Sequence, residues 1–114
     1  MNQKIDWVKV REEAHCRILR SEKCFCCGNK AVVVANTCSP TSASGMTPPR
    51  PWCAYCLLSM RGGVNIFEWR VPIGEARKAL EDAMTFATDR IKHGVNIIHN
   101  EAVRIRGHKL LKEM

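Results

Sequence analysis

The chain has 114 residues, of which 46% are hydrophobic and 25% charged, values that suit one globular domain. Its formal net charge is +7, from 18 lysines and arginines against 11 aspartates and glutamates. No run approaches the ~20 apolar residues of a membrane span, and the charged N-terminus, MNQKIDWVKVREEAH, lacks the apolar core of a secretory signal. These features argue against a membrane-spanning or secreted protein, and we expect a cytoplasmic one.

The first predicted element is an N-terminal helix over residues 6–22. Apolar residues recur there at steps of three and four, which places them on one helical face; they are Trp7, Val10, Ala14 and Ile18. Asp6 is a candidate N-cap, because its carboxylate can accept from the first free backbone amides. We expect this helix to belong to a single compact domain over 1–114, ahead of a cysteine-rich module (24–61) and a helical region (71–114).

Two Cys-x-x-Cys motifs lie in the middle of the chain, in SEKCFCCGNK and RPWCAYCLLSM. Two residues between cysteines let one tight turn aim both sulfurs at a shared point, and two such turns supply the tetrahedral thiolate shell that zinc prefers. The chain has seven cysteines, an odd count that argues against a secreted disulfide scaffold. The sequence therefore predicts one structural Zn²⁺, with iron as the minor alternative. The predicted ligands are Cys24, Cys27, Cys53 and Cys56.

The two pairs are predicted to lie on different local structures. Gly28 and Asn29 follow the first pair and readily adopt positive φ, which indicates a knuckle turn. The second pair is predicted on the first turn of a short helix that ends near Arg61. Between them, the β-branched run over 30–38 predicts a strand, and the Ser-, Thr-, Gly- and Pro-rich segment 39–51 predicts a loop.

This order of knuckle, strand, long loop and helix resembles the treble-clef zinc fingers, and distantly the GATA-type fingers among them. The resemblance covers residues 24–61 and implies an α+β fold, in which a short β-hairpin and a helix hold the metal and flanking α-helices pack around them. The spacer, residues 28–52, is longer than that of a GATA-type finger, and no basic DNA-contacting tail follows the helix. DNA recognition of the GATA kind is therefore not carried over.

No catalytic constellation accompanies the cysteines in the sequence. HNH nucleases share the treble-clef layout but need histidines, and none occurs between Cys16 and Lys92. The His-x-Glu and Pro-Cys-x-x-Cys pattern of zinc deaminases is missing, and neither Cys-x-x-Cys is followed by the histidine of a c-type haem site. Four thiolates also close the shell against a catalytic water. We expect a protein that is not an enzyme.

Three cysteines remain outside the predicted ligand set: Cys16, Cys26 and Cys38. Cys26 is an alternative ligand for the first pair, although a one-residue separation fits a knuckle less well. A second metal held by His15 with these three cysteines is another alternative. In the simplest interpretation Cys16 and Cys38 are buried fillers, and Cys26 points outward from the turn.

Residues 71–94 predict the longest helix, with Pro72 in its first turn and Gly94 at its C-terminal cap. Its apolar stripe predicts a core face, or part of a homodimer interface over 73–91. The stripe comprises Ile73, Ala76, Leu80, Ala83, Met84, Ala87 and Ile91. The segment before it, GGVNIFEWRV at 62–71, predicts a strand connection.

A last helix is predicted over 100–114, with Asn100 as its N-cap and Gly107 as a weak point. It carries the densest basic cluster of the chain, which is either a solvated face or a phosphate-contacting patch. The cluster comprises Arg104, Arg106, His108, Lys109 and Lys112.

The positive charge predicts attraction to nucleic acid or another acidic surface. Candidate nucleic-acid contacts, mainly to phosphate, are Arg50, Arg61, Arg104, Arg106 and Lys109. Trp52 and Tyr55 offer a stacking surface beside the metal loop, although a tryptophan there also suits a small core.

Two functions follow from this pattern. The first is a small basic, zinc-stabilised protein that binds nucleic acid or regulates without catalysis. The alternative is a protein-binding adaptor or inhibitor, of a nucleic-acid enzyme for example, that uses the finger as a scaffold. In that case the predicted partner contacts are Met46, Pro48 and Pro49, an apolar run in the long loop.

Overall fold

The computed structural model of this protein describes residues 9, 22–38, 45–60 and 64–114. In chain order these form β1 (Val33–Thr37), β2 (Arg50–Trp52), α1 (Ala54–Ser59), β3 (Val64–Trp69), α2 (Ile73–Lys92) and α3 (Ile97–Glu113). The architecture is α+β, as predicted at that level: a small sheet with helices packed around it. The predicted N-terminal helix falls almost wholly outside the described residues, as do His15, Cys16 and Arg61.

The sheet is antiparallel, with strand order β2-β1-β3. Its central strand begins at Val33, which lies opposite Trp52 on one side and Trp69 on the other. β1 is buried along nearly its whole length and is paired with a strand on each edge. Such a central position suits β-branched residues, which are the residues that predicted this strand. The predicted strand within 30–38 is therefore confirmed. The segment 62–71, predicted as a strand connection, contains β3, which pairs with β1 as a third strand of the sheet.

The predicted loop over 39–51 is wrong at its C-terminal end. Residues 50–52 form β2, an edge strand in which Pro51 can pair without the loss of an inner ladder bond. The connection from β1 also starts as a hairpin. Thr37 N–H donates to Thr47 Oγ1 at 3.1 Å, and Thr47 N–H donates to the Thr37 carbonyl at 2.8 Å.

α2 and α3 form a helical hairpin whose turn is a Schellman motif. Gly94 has φ +72, its N–H donates to the Ile91 carbonyl, and the Val95 N–H donates to the Arg90 carbonyl. α2 thus ends at Lys92 with His93 as its C-cap, and the predicted capping glycine, Gly94, is the next residue. Among the described residues, no helix has the length and apolar character needed to cross a membrane.

The apolar stripe of α2 is a core face, which is one of its two predicted roles. Its buried members are Ala76, Leu80, Ala83 and Ala87, and most of them pack in one cluster with Leu58 of α1 and Val103 of α3. A second cluster under the sheet contains Cys24, Val33, Ala35, Trp52 and Leu57. Half-buried Val32, Trp69 and Leu110 pack against both clusters, so the cysteine-rich end and the helical end share one core.

The predicted N-cap of the last helix is wrong. α3 begins at Ile97 with Asn96 as N-cap, and Asn100 is a fully buried residue of the first turns. The Asn100 Nδ2 donates to the carbonyls of Val95 and Asn96, at 3.0 and 3.1 Å. Its Oδ1 accepts from the Tyr55 hydroxyl at 2.8 Å. The side chain therefore ties the α2–α3 turn to α1.

Gly107 was predicted only as a weak point of the last helix, but the structure gives it a packing role. It is buried, and a Cβ built on it would lie 2.6 Å from Cγ and Sδ of Met84 and 3.3 Å from Leu58 Cδ1. Glycine therefore lets α3 lie close to the side chains of α2 and α1.

Candidate metal centre

The first cysteine pair lies on a tight turn closed by backbone hydrogen bonds. Lys23 and Lys30 form an isolated antiparallel bridge, and between them the Cys24 N–H donates to the Asn29 carbonyl at 2.6 Å. The Gly28 N–H donates to the Cys24 carbonyl at 3.0 Å, with Gly28 at φ +78. Few other residues adopt that φ without strain, so the glycine after the pair permits the predicted knuckle.

The second pair begins α1. Cys53 is its N-cap, with φ −77 and ψ 165, and its Sγ accepts from the Cys56 N–H at 3.5 Å. The preceding Trp52 is buried and its Nε1–H donates to the Ala35 carbonyl at 3.0 Å. β2 therefore fixes where α1 starts, and α1 ends at Ser59, slightly before the predicted end.

These two local structures bring four sulfurs together. The Sγ atoms of Cys24, Cys27, Cys53 and Cys56 all lie within 4.8 Å of one another, and Cys27 Sγ lies 3.6 Å from Cys53 Sγ. Two thiolates at about 2.3 Å from a tetrahedral zinc lie about 3.8 Å apart, whereas a disulfide bond spans only about 2.05 Å. The donor set and its spacing therefore fit a four-coordinate metal site.

Three of the four thiols have shifted pKa values in the absence of a metal. Burial alone would raise the pKa of Cys24, but the backbone amides of Cys27, Cys53 and Cys26 outweigh it and lower that pKa from 9.0 to about 7. Burial raises the pKa of Cys53 to about 11, against the opposing Cys56 amide. Burial and the adjacent Cys53 thiol raise the pKa of Cys56. A metal bound by these sulfurs would therefore displace protons from Cys53 and Cys56.

No family model, curated protein or solved structure matches this chain. The metal assignment accordingly rests on the chain's own donor set, its spacing and its burial. Cys24 is buried, Cys53 and Cys56 are half-buried, and Cys27 is exposed. The site thus lies at the surface end of the cluster under the sheet.

Two of the three surplus cysteines, Cys26 and Cys38, lie among the described residues, and neither is one of the four clustered cysteines. Cys26 is exposed and points outward from the knuckle, as predicted, and it is not one of the four clustered residues. Cys38 is exposed as well, so the prediction of a buried filler is wrong for it. Within the described part of the chain, the four-cysteine cluster is the one group that fits a metal. The alternative second metal depends on His15 and Cys16, which lie outside the described residues.

The predicted stacking surface is wrong for both of its aromatic residues. Trp52 is 9% exposed, and the half-buried Tyr55 packs edge-on against Phe86 at 5.1 Å between ring centroids. An aromatic that the sequence did not single out is exposed instead: Phe25, at 47%. The Arg50 guanidinium lies over its ring at 4.1 Å, a cation–π contact. Phe25 lies between Cys24 and Cys26 in the knuckle, and its exposure depends on the geometry of that turn.

The predicted phosphate contacts on α3 have different surroundings. Arg104 pairs with Glu101 at 3.0 Å. Arg106 donates to the Leu58 carbonyl at 2.9 Å and so satisfies the C-terminal end of α1. Lys109 is exposed to solvent. The structure therefore gives Arg106 a packing role that its place in a basic cluster did not indicate.

The predicted partner contacts in the loop differ in exposure. Pro48 is exposed, whereas Met46 and Pro49 are half-buried. Met46 also forms an isolated antiparallel bridge with Cys38, which extends the β1 hairpin. These three residues therefore present less apolar surface than the sequence suggests.

Proposed function

We propose that this protein is a zinc-stabilised, non-catalytic binding module. The observation that carries the proposal is the gathering of four cysteine sulfurs within 4.8 Å of one another. Four thiolates saturate a tetrahedral zinc and leave no coordination position for a reacting water. Zinc is the first candidate, and iron is the minor alternative for the same ligands.

We extend the proposal to a treble-clef arrangement of residues 24–59. A knuckle with Gly28 at positive φ, antiparallel strands and a helix capped by Cys53 follow one another in the order of that class of finger. In such small sites the free energy of metal binding is folding free energy. The metal would then hold the knuckle against β2 and α1.

Elemental analysis of the purified protein tests the metal assignment. We expect one zinc per chain, with the metal lost in Cys56→Ser. Cys26→Ser is the matched control, because Cys26 is an exposed cysteine of the same knuckle outside the cluster. Protein without zinc or iron, or metal lost equally in the control, would refute the proposed site.

Nucleic acid is the first proposed partner, supported by the net charge of +7. Contacts to phosphate would dominate, and the candidates are Arg50, Arg61, Arg104, Arg106 and Lys109. Affinity for duplex DNA should then fall with salt, with a log–log slope near −0.9 per neutralised phosphate. Fluorescence anisotropy with labelled DNA and RNA at about 50 and 200 mM salt measures this. If no complex forms at micromolar protein in the lower salt, nucleic acid is not the partner.

A protein partner is the second candidate, and one specific observation favours it. Ile98 and Ile105 of α3 are 88% and 65% exposed. Isoleucine side chains neither bind phosphate nor stack on bases, so charge attraction to nucleic acid gives no reason for this exposure.

A further inference from the structure

The outer face of α3 carries an apolar stripe in contact with solvent. Ile98 and Ile105 are its ends, and Ala102 lies four residues after the first and three before the second. That spacing places all three on one helical face. Val103 and Gly107, on the opposite side of the helix, are buried. The stripe is therefore the face of α3 that does not pack against the core. Contiguous exposed apolar surface is typical of an interaction site.

Two hollows lie along α3, and the second contains part of the stripe. The first, of about 340 Å³, lies between α1, β3 and α3, with Leu57, Val64 and Leu110 among its apolar lining and Lys109 at its edge. The second, at the start of α3, is lined by Ile98 and Ala102 among others. Arg106 lines both hollows. The two hollows are therefore neighbours along α3, and together with the stripe they are called the groove.

The positive charge of the groove favours an acidic partner over a second copy of this basic chain. Arg106, Lys109 and Lys112 lie towards its C-terminal end, where Glu113 opposes them. Glu101, beside the stripe, is paired with Arg104. A second copy of the chain would bring another +7 against this surface, which the cations would oppose. A segment with carboxylates beside an apolar stripe is complementary to both features.

We propose that this groove, defined by Ile98, Ala102, Ile105, Arg106 and Lys109, docks an amphipathic helix of a partner protein. The apolar residues of that helix, at i, i+3, i+4 and i+7, lie on the isoleucine stripe, and its flanking Asp and Glu residues pair with the cations. This identifies a surface and a partner chemistry for the protein-binding function. One wall of the groove is Leu57 of α1, the helix capped by Cys53, so this part of the inference rests on the proposed metal site.

A designed peptide tests the inference directly. The probe is a fluorescein-labelled helical peptide with leucines at i, i+3, i+4 and i+7 and glutamates beside them, and two further peptides carry lysines in place of the glutamates or a scrambled order. By anisotropy with the full zinc-loaded chain, we expect the glutamate peptide to bind at least about tenfold more tightly than the other two. Ile98→Ser/Ile105→Ser should weaken it at least about tenfold.

The control variant is Ile73→Ser, which removes an isoleucine that is 56% exposed at the start of α2 and lines neither hollow. It should bind the glutamate peptide as the unaltered chain does. Lys109→Glu should weaken the glutamate peptide and strengthen the lysine peptide. Circular dichroism and zinc content of each variant verify its fold.

Four outcomes would overturn the inference. One is equal binding of all three peptides, and another is unchanged binding by Ile98→Ser/Ile105→Ser. A third is a dimer by sedimentation that this double variant dissociates, which would assign the groove to a second copy. A fourth is loss of nucleic-acid binding in the same variant with no peptide binding by the unaltered chain. A zinc-loaded protein that binds no peptide refutes the docking groove alone, whereas a zinc-free one refutes the metal site.

Discussion

Cys53 combines two roles in one side chain. Its Sγ caps α1 by accepting from the Cys56 N–H, and it is also one of the four clustered sulfurs. Serine is among the best N-cap residues, so Cys53→Ser keeps a capping group and removes only the thiolate. The substitution thus separates the contribution of the metal from that of the cap.

We predict that Cys53→Ser loses its metal and its cooperative unfolding transition as completely as Cys56→Ser does. Binding free energies of structural zinc sites are about 10–16 kcal/mol at pH 7, far above the ~1 kcal/mol of a cap. Thermal unfolding followed by circular dichroism, with metal analysis, measures both losses. Should Cys53→Ser remain folded and metal-free while Cys56→Ser unfolds, the cap rather than the metal would hold α1 in place.

The raised pKa of Cys53 predicts how the stability of the metal-loaded protein depends on pH. Without a metal, burial raises the pKa of this thiol from 9.0 to about 11, so protons compete with the metal for its sulfur. In the metal-loaded form the sulfur must be deprotonated, so stability is lost as pH falls.

Urea unfolding of the loaded and the chelated protein, from about pH 6 to about pH 10.5, measures this dependence. We expect the loaded protein to lose stability towards the acid end, a loss that the chelated protein, in which residues 24–59 are unfolded, does not show. The same pH dependence with and without chelator would contradict the proposed thiolate ligation.

At the scale of elements, the buried Asn100 links α3, the α2–α3 turn and α1 through three hydrogen bonds. We predict that Asn100→Ala lowers the free energy of unfolding by roughly 2–4 kcal/mol, because it leaves two carbonyls and the Tyr55 hydroxyl without this partner. Tyr55→Phe, which removes one of the bonds, should cost about 1 kcal/mol. Chemical denaturation of both single variants and the double variant measures the coupling. Fully additive effects would show that the Tyr55–Asn100 bond contributes nothing.

Gly107 allows a second prediction at this scale. Alanine has a helix propensity about 1 kcal/mol better than glycine, but its Cβ would lie 2.6 Å from the Met84 side chain. Overpacking costs about 1–3 kcal/mol, so Gly107→Ala should destabilise by about 1 kcal/mol and become stabilising in a Met84→Ala background. Gly74→Ala is the control, since nothing lies within 4 Å of its Cβ position, and it should stabilise by up to about 1 kcal/mol. A stabilising Gly107→Ala in the unaltered background would show that Met84 moves aside without cost.

These examples show which parts of the fold the sequence determines locally. Three features were predictable from adjacent residues: the central strand, the end of α2 just before Gly94, and the knuckle at Gly28. The first follows from a β-branched run, and the other two follow from a glycine that can adopt positive φ. The sequence predicts Asn100 as an N-cap because asparagine is common at that position. The prediction is wrong because the hydrogen-bond partner of its side-chain oxygen, Tyr55, is 45 positions away. Trp52 was open to two interpretations because its burial depends on the pairing of β2 with β1.

The candidate metal site was predictable from the cysteine spacing. Two Cys-x-x-Cys motifs in a chain of this composition are typical of a metal site, so the pattern alone indicated which four residues meet. The exposed isoleucines of α3 could not be recognised in the same way. An apolar residue on a predicted helix is assigned to the core by default, and only the packing of α2, α1 and α3 shows which face remains outside.

Across the whole molecule, the two core clusters are joined by side chains that belong to both, Val32, Trp69 and Leu110. We predict that removal of the metal with a chelator unfolds residues 24–59 first and weakens, without abolishing, the α2–α3 hairpin. Hydrogen exchange followed by mass spectrometry should then show near-complete loss of protection in the knuckle, β2 and α1, and partial loss in α2. Equal loss in all segments would indicate that the whole chain folds as one cooperative unit with its metal.

The burial of Trp52 gives the protein an intrinsic optical probe. Its indole lies in the core and is adjacent in sequence to the clustered Cys53. Emission from that indole should shift to longer wavelength when the site opens to water. Cobalt in place of zinc should quench it, while the charge-transfer bands report thiolate ligation and the ligand-field bands report tetrahedral geometry. With Trp7 and Trp69 replaced by phenylalanine, titration of the chain with either metal becomes a fluorescence experiment that needs no attached label.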